Sequence, residues 1–199
     1  KVSTYSGDTD KDYATSTGIY FSGQENPYET IIATEGTRVV YNNKSSKDDI
    51  SQTDITAMLK LNIIDNFNAK IGIHHIISTD DLTDGGNTFI GGMNLNRNSL
   101  NFDLNVYYTN YDNLVSLDIT QLSPEVGFNF GNNSFKIKGD FINIENNDKL
   151  GLKDSYSSTE VTFKNQTGIF GTTLSGWLGK RIFAVSNNGF TVNNISDEE

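Results

Sequence analysis

Ser99-Leu100-Asn101-Phe102-Asp103-Leu104-Asn105-Val106-Tyr107-Tyr108-Thr109 alternates apolar and polar side chains with one exception, Tyr107. Leu100, Phe102, Leu104, Val106 and Tyr108 share one parity; Asn101, Asp103, Asn105 and Thr109 share the other. Successive side chains of an extended chain point to opposite faces, so this is a strand with one apolar and one polar face. The pattern spreads outward in both directions. Ala57, Leu59, Leu61 and Ile63 oppose Thr56, Met58, Lys60 and Asn62. Phe67, Ala69, Ile71 and Ile73 oppose Asn68, Lys70, Gly72 and His74, and Phe89, Gly91, Met93 and Leu95 oppose Thr88, Ile90, Gly92 and Asn94. Further on, Phe135, Ile137, Gly139 and Phe141 oppose Lys136, Lys138, Asp140 and Ile142. Val115, Leu117 and Ile119 hold odd positions, whereas Val126, Phe128 and Phe130 hold even ones. Pro124 lies between the two sets; because proline lacks a ladder donor, a bulge or break is expected there.

Two kinds of connection alternate along the chain. Short Asn, Asp, Gly or Pro turns stand near Pro27, Asn66, Asn98, Asn133 and Thr167, with chemistry suited to tight hairpins. Longer polar connections occupy 7–13, 42–53, 79–87 and 146–154. The spacing is roughly one strand per 17 residues, which predicts about 10–12 strands. The expected organisation is one barrel domain over residues 1–190, followed by a polar acidic tail or a truncated continuation over 191–199. The stretch from Leu178 to Phe190 fits neither parity.

Composition narrows the class. The chain has 199 residues, 35% hydrophobic, 11% aromatic, no cysteine and a net charge of −10. Apolar content is low for a packed soluble core, yet aromatics are too frequent for simple disorder. Without cysteine there is no disulfide scaffold, thiolate metal site or Cys nucleophile. The acidic balance argues against a nucleic-acid partner, which needs a basic footprint. No apolar run reaches the roughly 18–20 residues of a membrane helix, and no signal peptide is visible, as expected of a mature form or a cytosolic chain. Strands of about ten residues, strict alternation, and short turns alternating with long loops form the pattern of a transmembrane β-barrel. In hydrocarbon every backbone polar group must be paired internally, so a sheet can span only if it closes.

On this pattern the chain resembles the porin-like β-barrel proteins of the bacterial outer membrane. The resemblance implies an all-β, antiparallel, up-and-down transmembrane barrel in contact with lipid bilayer and lipopolysaccharide, with short turns on the periplasmic side and long loops outside. It implies a small porin or passive channel for small solutes or ions, or a structural membrane protein. Tyr28, Phe67, Tyr108, Tyr111, Phe128, Phe130, Phe135 and Trp177 would form interfacial girdles. Such proteins usually end in a strand closed by an aromatic residue; here the end is Ile195-Ser196-Asp197-Glu198-Glu199, so a partner chain is expected if the barrel is incomplete. The competing expectation is a secreted or surface-attached soluble β protein, an adhesin or carbohydrate-binding module.

Candidate functional residues follow from the polar faces. Lys60, Lys70, His74, Asp103, Asp118, Glu125, Lys136, Lys138 and Asp140 are expected to line a lumen, where rings of charge set ion preference. Asp8, Asp10 and Asp12 alternate like the start of a calcium loop, but Tyr13 and Ile19 stand where such a loop needs Gly and Glu. A looser Ca²⁺ or Mg²⁺ site in the loops is the remaining metal expectation; no other cofactor is expected. His74 and His75 are the only histidines and, as strand neighbours, cannot share one metal. Sequence motifs for a nucleophile elbow, a P-loop or a dinucleotide fingerprint are lacking, and no enzyme is expected. A cluster of Ser116, His74 and Asp103 is the weak exception. The sequons at Asn43, Asn132, Asn165 and Asn194 are chance products of an Asn-rich chain.

Overall fold

The computed structural model describes residues 2–4, 11–41, 48–112, 116–146, 151–168, 170–186, 189 and 191–192. They form β1 (Val2–Thr4), β2 (Lys11–Glu25), β3 (Tyr28–Tyr41), β4 (Ile50–Ile64), β5 (Phe67–Ser78), β6 (Asn87–Arg97), β7 (Leu100–Tyr111), β8 (Leu117–Phe130), β9 (Asn133–Glu145), β10 (Ser155–Thr167) and β11 (Phe170–Gly179). These eleven strands pair in chain order into one antiparallel, up-and-down sheet. A separate pair, β12 (Val185–Ser186) and β13 (Thr191–Val192), follows.

Short hairpins gather at one end of the sheet, the turn end, and the long connections at the other, the loop end. Asn98 (φ 54°) and Gly131 (φ 57°) adopt the left-handed backbone that such turns require, where Asn and Gly are the least strained residues. Each turn is also tied to the next hairpin: Asn62 N–H donates to Pro27 O, Asn96 N–H to Asn66 O, and Asn129 N–H to Ser99 O, all at 2.8–2.9 Å. Among the described residues β1 pairs only with β2, and β11 only with β10, so the two edges of the sheet are not joined.

The sheet is rolled. Lys70 on β5 and Lys138 on β9 interact electrostatically although four strand spacings, about 19 Å on a flat sheet, separate them. The short segment Arg181–Gly189 touches side chains from β5 to β10 at once, through His74, Ile90, Tyr111, Gln121, Asp140 and Glu160. A concave inner face and a convex outer face result. Their polarity is inverted relative to a soluble protein. Among the described residues fifteen hydrophobic side chains are buried, whereas thirty-two large apolar ones are exposed. Most of the exposed ones lie on the outer parity, including Ile71 (65%), Ile73 (56%), Phe89, Phe102, Val126 and Phe141, whereas Tyr20 and Trp177 are exposed on the inner parity.

The expected break at Pro124 does not occur. β8 runs unbroken from Leu117 to Phe130, with Pro124 opposite Leu104, and its register with β9 is the same before and after the proline. The apolar parity changes for another reason. Leu117 and Ile119 face inward and are buried, while Val126, Phe128 and Phe130 face outward. The inner face itself turns apolar toward the loop end, because the chain after β11 covers it. Ile182, Phe183, Ala184 and Val185 join one cluster with Met58, Ile76, Ile90, Tyr107, Tyr111, Leu117, Ile119, Ile142 and Ile144. This also explains why residues after Leu178 fit no strand parity: the main sheet ends at Gly179, and the chain turns into the concavity.

Candidate functional site

The concave face has two tiers. The upper tier, toward the loop end, holds the C-terminal segment. Its anchors are polar groups on the wall. Gln121 on β8 acts as an extra rung: its Oε1 accepts from Val185 N–H at 2.7 Å and its Nε2 donates to Val185 O at 2.9 Å. The same Nε2 lies 3.0 Å from Asp140 Oδ1 and 2.8 Å from Ser123 Oγ, which donates to that carboxylate at 2.7 Å. Asp140, 1% exposed, is also paired with Lys138 Nζ at 2.9 Å. Arg181 reaches it at 4.0 Å, donates to Glu160 at 2.7 Å, and sits 4.9 Å from the Trp177 ring centroid.

On the other side of the segment His74 Nδ1 is 2.8 Å from Gly189 O and 3.0 Å from Thr56 Oγ1, and Nε2 is 2.8 Å from Asp54 Oδ1. A carbonyl only accepts, so Nδ1 carries hydrogen and donates to Gly189 O. Hydroxyl, imidazole and carboxylate stand in a row, but the hydrogen on Nδ1 leaves that nitrogen unable to take a proton from Thr56, so the row is not a nucleophilic triad. Thr56 is 2% exposed and Gly189 O occupies the ring edge, so no substrate carbon can approach this chain of groups in the seated state. Its role here is to anchor Gly189.

The lower tier, toward the turn end, is polar. Lys60 pairs with Glu29 at 3.3 Å, Lys136 with Glu125, and Asn94 donates to Asp103 at 2.9 Å. A ladder of amides runs beside them: Asn68 to Asn94 (3.4 Å), Asn96 to Asn94, and Asn101 to Asn96. Lys70 lies across Gly92, where a Cβ would come within 2.6 Å of its Cε, and shares a cleft of about 230 Å³ with Glu29, Lys60, Asn94 and Asp103. This tier can hold water and small charged solutes between balanced fixed charges.

The residues expected to line a lumen therefore divide. Lys60, Lys70, Asp103, Glu125 and Lys136 do face the interior together in the lower tier. Lys138 and Asp140 face inward but belong to the anchorage of the upper tier. His74 faces inward and is buried under Gly189 rather than open to a lumen. Asp118 is a correction: it lies on the outer parity, accepting from Tyr108 Oη at 2.6 Å and Asn110 Nδ2 at 3.0 Å. Two of the expected girdle residues are corrected as well. Tyr111 is fully buried against Phe183, with ring centroids 5.4 Å apart, and Trp177 is on the inner parity beneath Arg181. Tyr28, Phe67, Tyr108, Phe128, Phe130 and Phe135 keep to the outer face. Asp8 and Asp10 lie outside the described residues; Asp12 is exposed on β2. Among the described residues no group of three His, Asp or Glu side chains is placed to hold a metal ion. Of the residues missed, Asp54 was legible from sharing the parity of Thr56, whereas Gln121, Glu160 and Arg181 acquire their roles only through the inserted segment.

At the loop end Arg38 Nη2 donates to Asp49 at 3.0 Å, and Tyr41 N–H at 3.2 Å. The Arg38 bond, with the backbone bond second, holds the Asp49 carboxyl below its ordinary value of 3.8. A lowered folded value means that the contribution to stability is present above the unfolded value and lost as pH falls through the folded one. The carboxyl carbon of Asp49, followed by NMR, should titrate below 3.8 in the native chain and near it in Arg38→Ala.

No protein-family model matches the chain, and neither a curated protein nor a solved structure is similar to it.

Proposed function

We propose that this chain is a membrane-spanning β-barrel protein of the outer-membrane type, with an interior sealed at the loop end by its own C-terminal segment. The observation that carries this reading is the outer face. Soluble monomers rarely expose contiguous apolar patches above a few hundred Å². Here the apolar residues form a belt around the sheet, and on the outer parity of β7 it runs without interruption from Leu100 to Tyr108. At about 3.4 Å per residue and a strand tilt of roughly 30–35°, that is roughly 23 Å of height, close to the apolar band of membrane barrels. Phe67, Phe102, Phe128, Phe130 and Phe135 cluster at the turn-end border of the belt, where aromatic girdles sit.

Closure is supported by the stagger of the strands. From Glu25, successive partners lead through Tyr28, Leu61, Ala69, Met93 and Leu104 to Pro124. Pro124 stands opposite Gly139, which leads through Thr159 to Leu178. The turn end of β2 is therefore square with the loop end of β11. Joining the two edges with their ends level slides β11 along β2 by roughly eight to ten residues, a strand tilt of roughly 30–35°, at the low edge of the barrel range. β2 and β11 run antiparallel, as a closed ten-stranded meander requires. Since an unpaired edge is not tolerated in hydrocarbon, a bilayer favours this pairing.

The test is gel mobility of unboiled against boiled protein refolded with and without detergent. The expected result is a faster unboiled band that forms only with detergent or lipid. A well-folded β protein in plain buffer with no mobility shift would overturn the membrane reading in favour of a soluble, surface-attached one.

A further inference from the structure

We propose that the described residues after β11, 181–186, 189 and 191–192, belong to a detachable gate, whose departure opens a path for small ions through the charged interior. This rests on the membrane reading above.

The segment is held by side chains, apolar ones included, and not by the backbone ladder of the main sheet. Its two short strands pair with each other, Val185 with Val192 and Ser186 with Thr191, rather than with the main sheet. Its described polar bonds to the wall are made almost entirely by wall side chains, Gln121 and His74 above all; the neighbouring backbone bond is Lys180 N–H to Ser157 O. Withdrawing it breaks no rung between β2 and β11. The seated state also carries an unpaired polar group. Tyr111 Oη is buried beside Phe183 with no hydrogen-bond partner among the described residues. Such a group costs about 1–3 kcal/mol and recovers a partner when water enters.

What lies behind the gate suits ions. Across β4–β7, Thr56, His74, Thr88 and Thr109 stand side by side on the inner wall. Gln121, Ser123, Asp140 and Ser158 continue a polar band, buried now. Beyond it come Lys70, Asp103, Glu125 and Lys136 of the lower tier. With the segment gone, water would meet hydroxyl, amide and charged groups along this path, beside the apolar side chains of β7–β9. Arg181, stacked on Trp177 and paired with Glu160, latches the segment near its junction with β11, and Gln121 with His74 latch it further along.

The chain has no cysteine, so one introduced at Val185 reports the segment alone. The full chain carrying Val185→Cys is compared with and without the latch substitution Gln121→Leu, and with Arg181→Gln as a second variant in case the first fails to fold. Three readouts are taken: mobility shift, rate of maleimide labelling, and KCl conductance in planar bilayers. The expected result is labelling and opening frequency both at least tenfold higher in a latch variant, with the mobility shift retained. Equal labelling and conductance in inserted wild-type and variant protein would overturn the gate, as would faster labelling with no rise in conductance. Absence of the mobility shift in every form would overturn the membrane reading, and the gate with it.

Discussion

Ile73→Arg should abolish assembly into bilayers while leaving the inner wall untouched. Ile73 points outward from the middle of β5, 56% exposed, between Ile71 and Phe89. In a barrel it meets acyl chains, and an arginine at the bilayer midplane costs about 2–4 kcal/mol. Such a cost is a large part of the stability of a domain this size. The fast-running band should fall to a small fraction of the wild-type amount. Asn68→Lys, on the inner parity three spacings nearer the turn end of the same strand than Ile71, should leave it unchanged, because there the new amine meets water and carboxylates. The pair of variants separates the readings sharply. On a soluble protein the outward arginine would fall within about ±0.5 kcal/mol, as exposed substitutions usually do, and would improve solubility.

Asp140→Ala should destabilise the folded chain more than any other single carboxylate removal. Its carboxylate is buried and accepts from Ser123 and Gln121, with Lys138 Nζ at 2.9 Å and Arg181 near. Removing it strands Lys138, while Arg181 keeps Glu160, and deprives Gln121 of one of the acceptors that orient its amide toward Val185. Breaking a buried pair by deleting one partner costs about 3–5 kcal/mol, because the other charge is left uncompensated. Urea unfolding of detergent-refolded protein, followed by circular dichroism, should show a loss of that size. Asp140→Asn should lose less, since it keeps an acceptor for Ser123. Asp118→Ala should cost under about 1 kcal/mol, as its partners Tyr108 and Asn110 lie at the surface and can turn to water. Equal losses at Asp118 and Asp140 would show that Asp140 is not the hub described.

The contrast between those two carboxylates shows how far alternation reaches. Asp118 and Asp140 look alike in a chain where charge is read as inward and apolar as outward. The rule holds at the turn end, where Lys60, Lys70, Asp103 and Lys136 obey it. It fails at the loop end, where Leu117, Ile119, Ile142 and Ile144 are apolar and inward, so Asp118 is pushed to the outside. The apolar shift at Pro124 has the same origin and is no bulge. Tyr107, the one exception in the alternation from Ser99 to Thr109, belongs to that inner apolar tier too.

By itself the sequence determined the strands, their order and the faces of the turn-end half. Period-two alternation and Asn, Gly and Pro turns act over a few residues, and nearest-neighbour hairpins need nothing more distant. Only the tertiary structure decided what the inner face is lined with near the loops. That depends on contacts such as Val185 with Gln121, 64 residues apart, and His74 with Gly189, 115 residues apart. A residue's neighbours along a strand carry no trace of a segment that arrives from so far along the chain, so its burial was settled by packing and not by pattern.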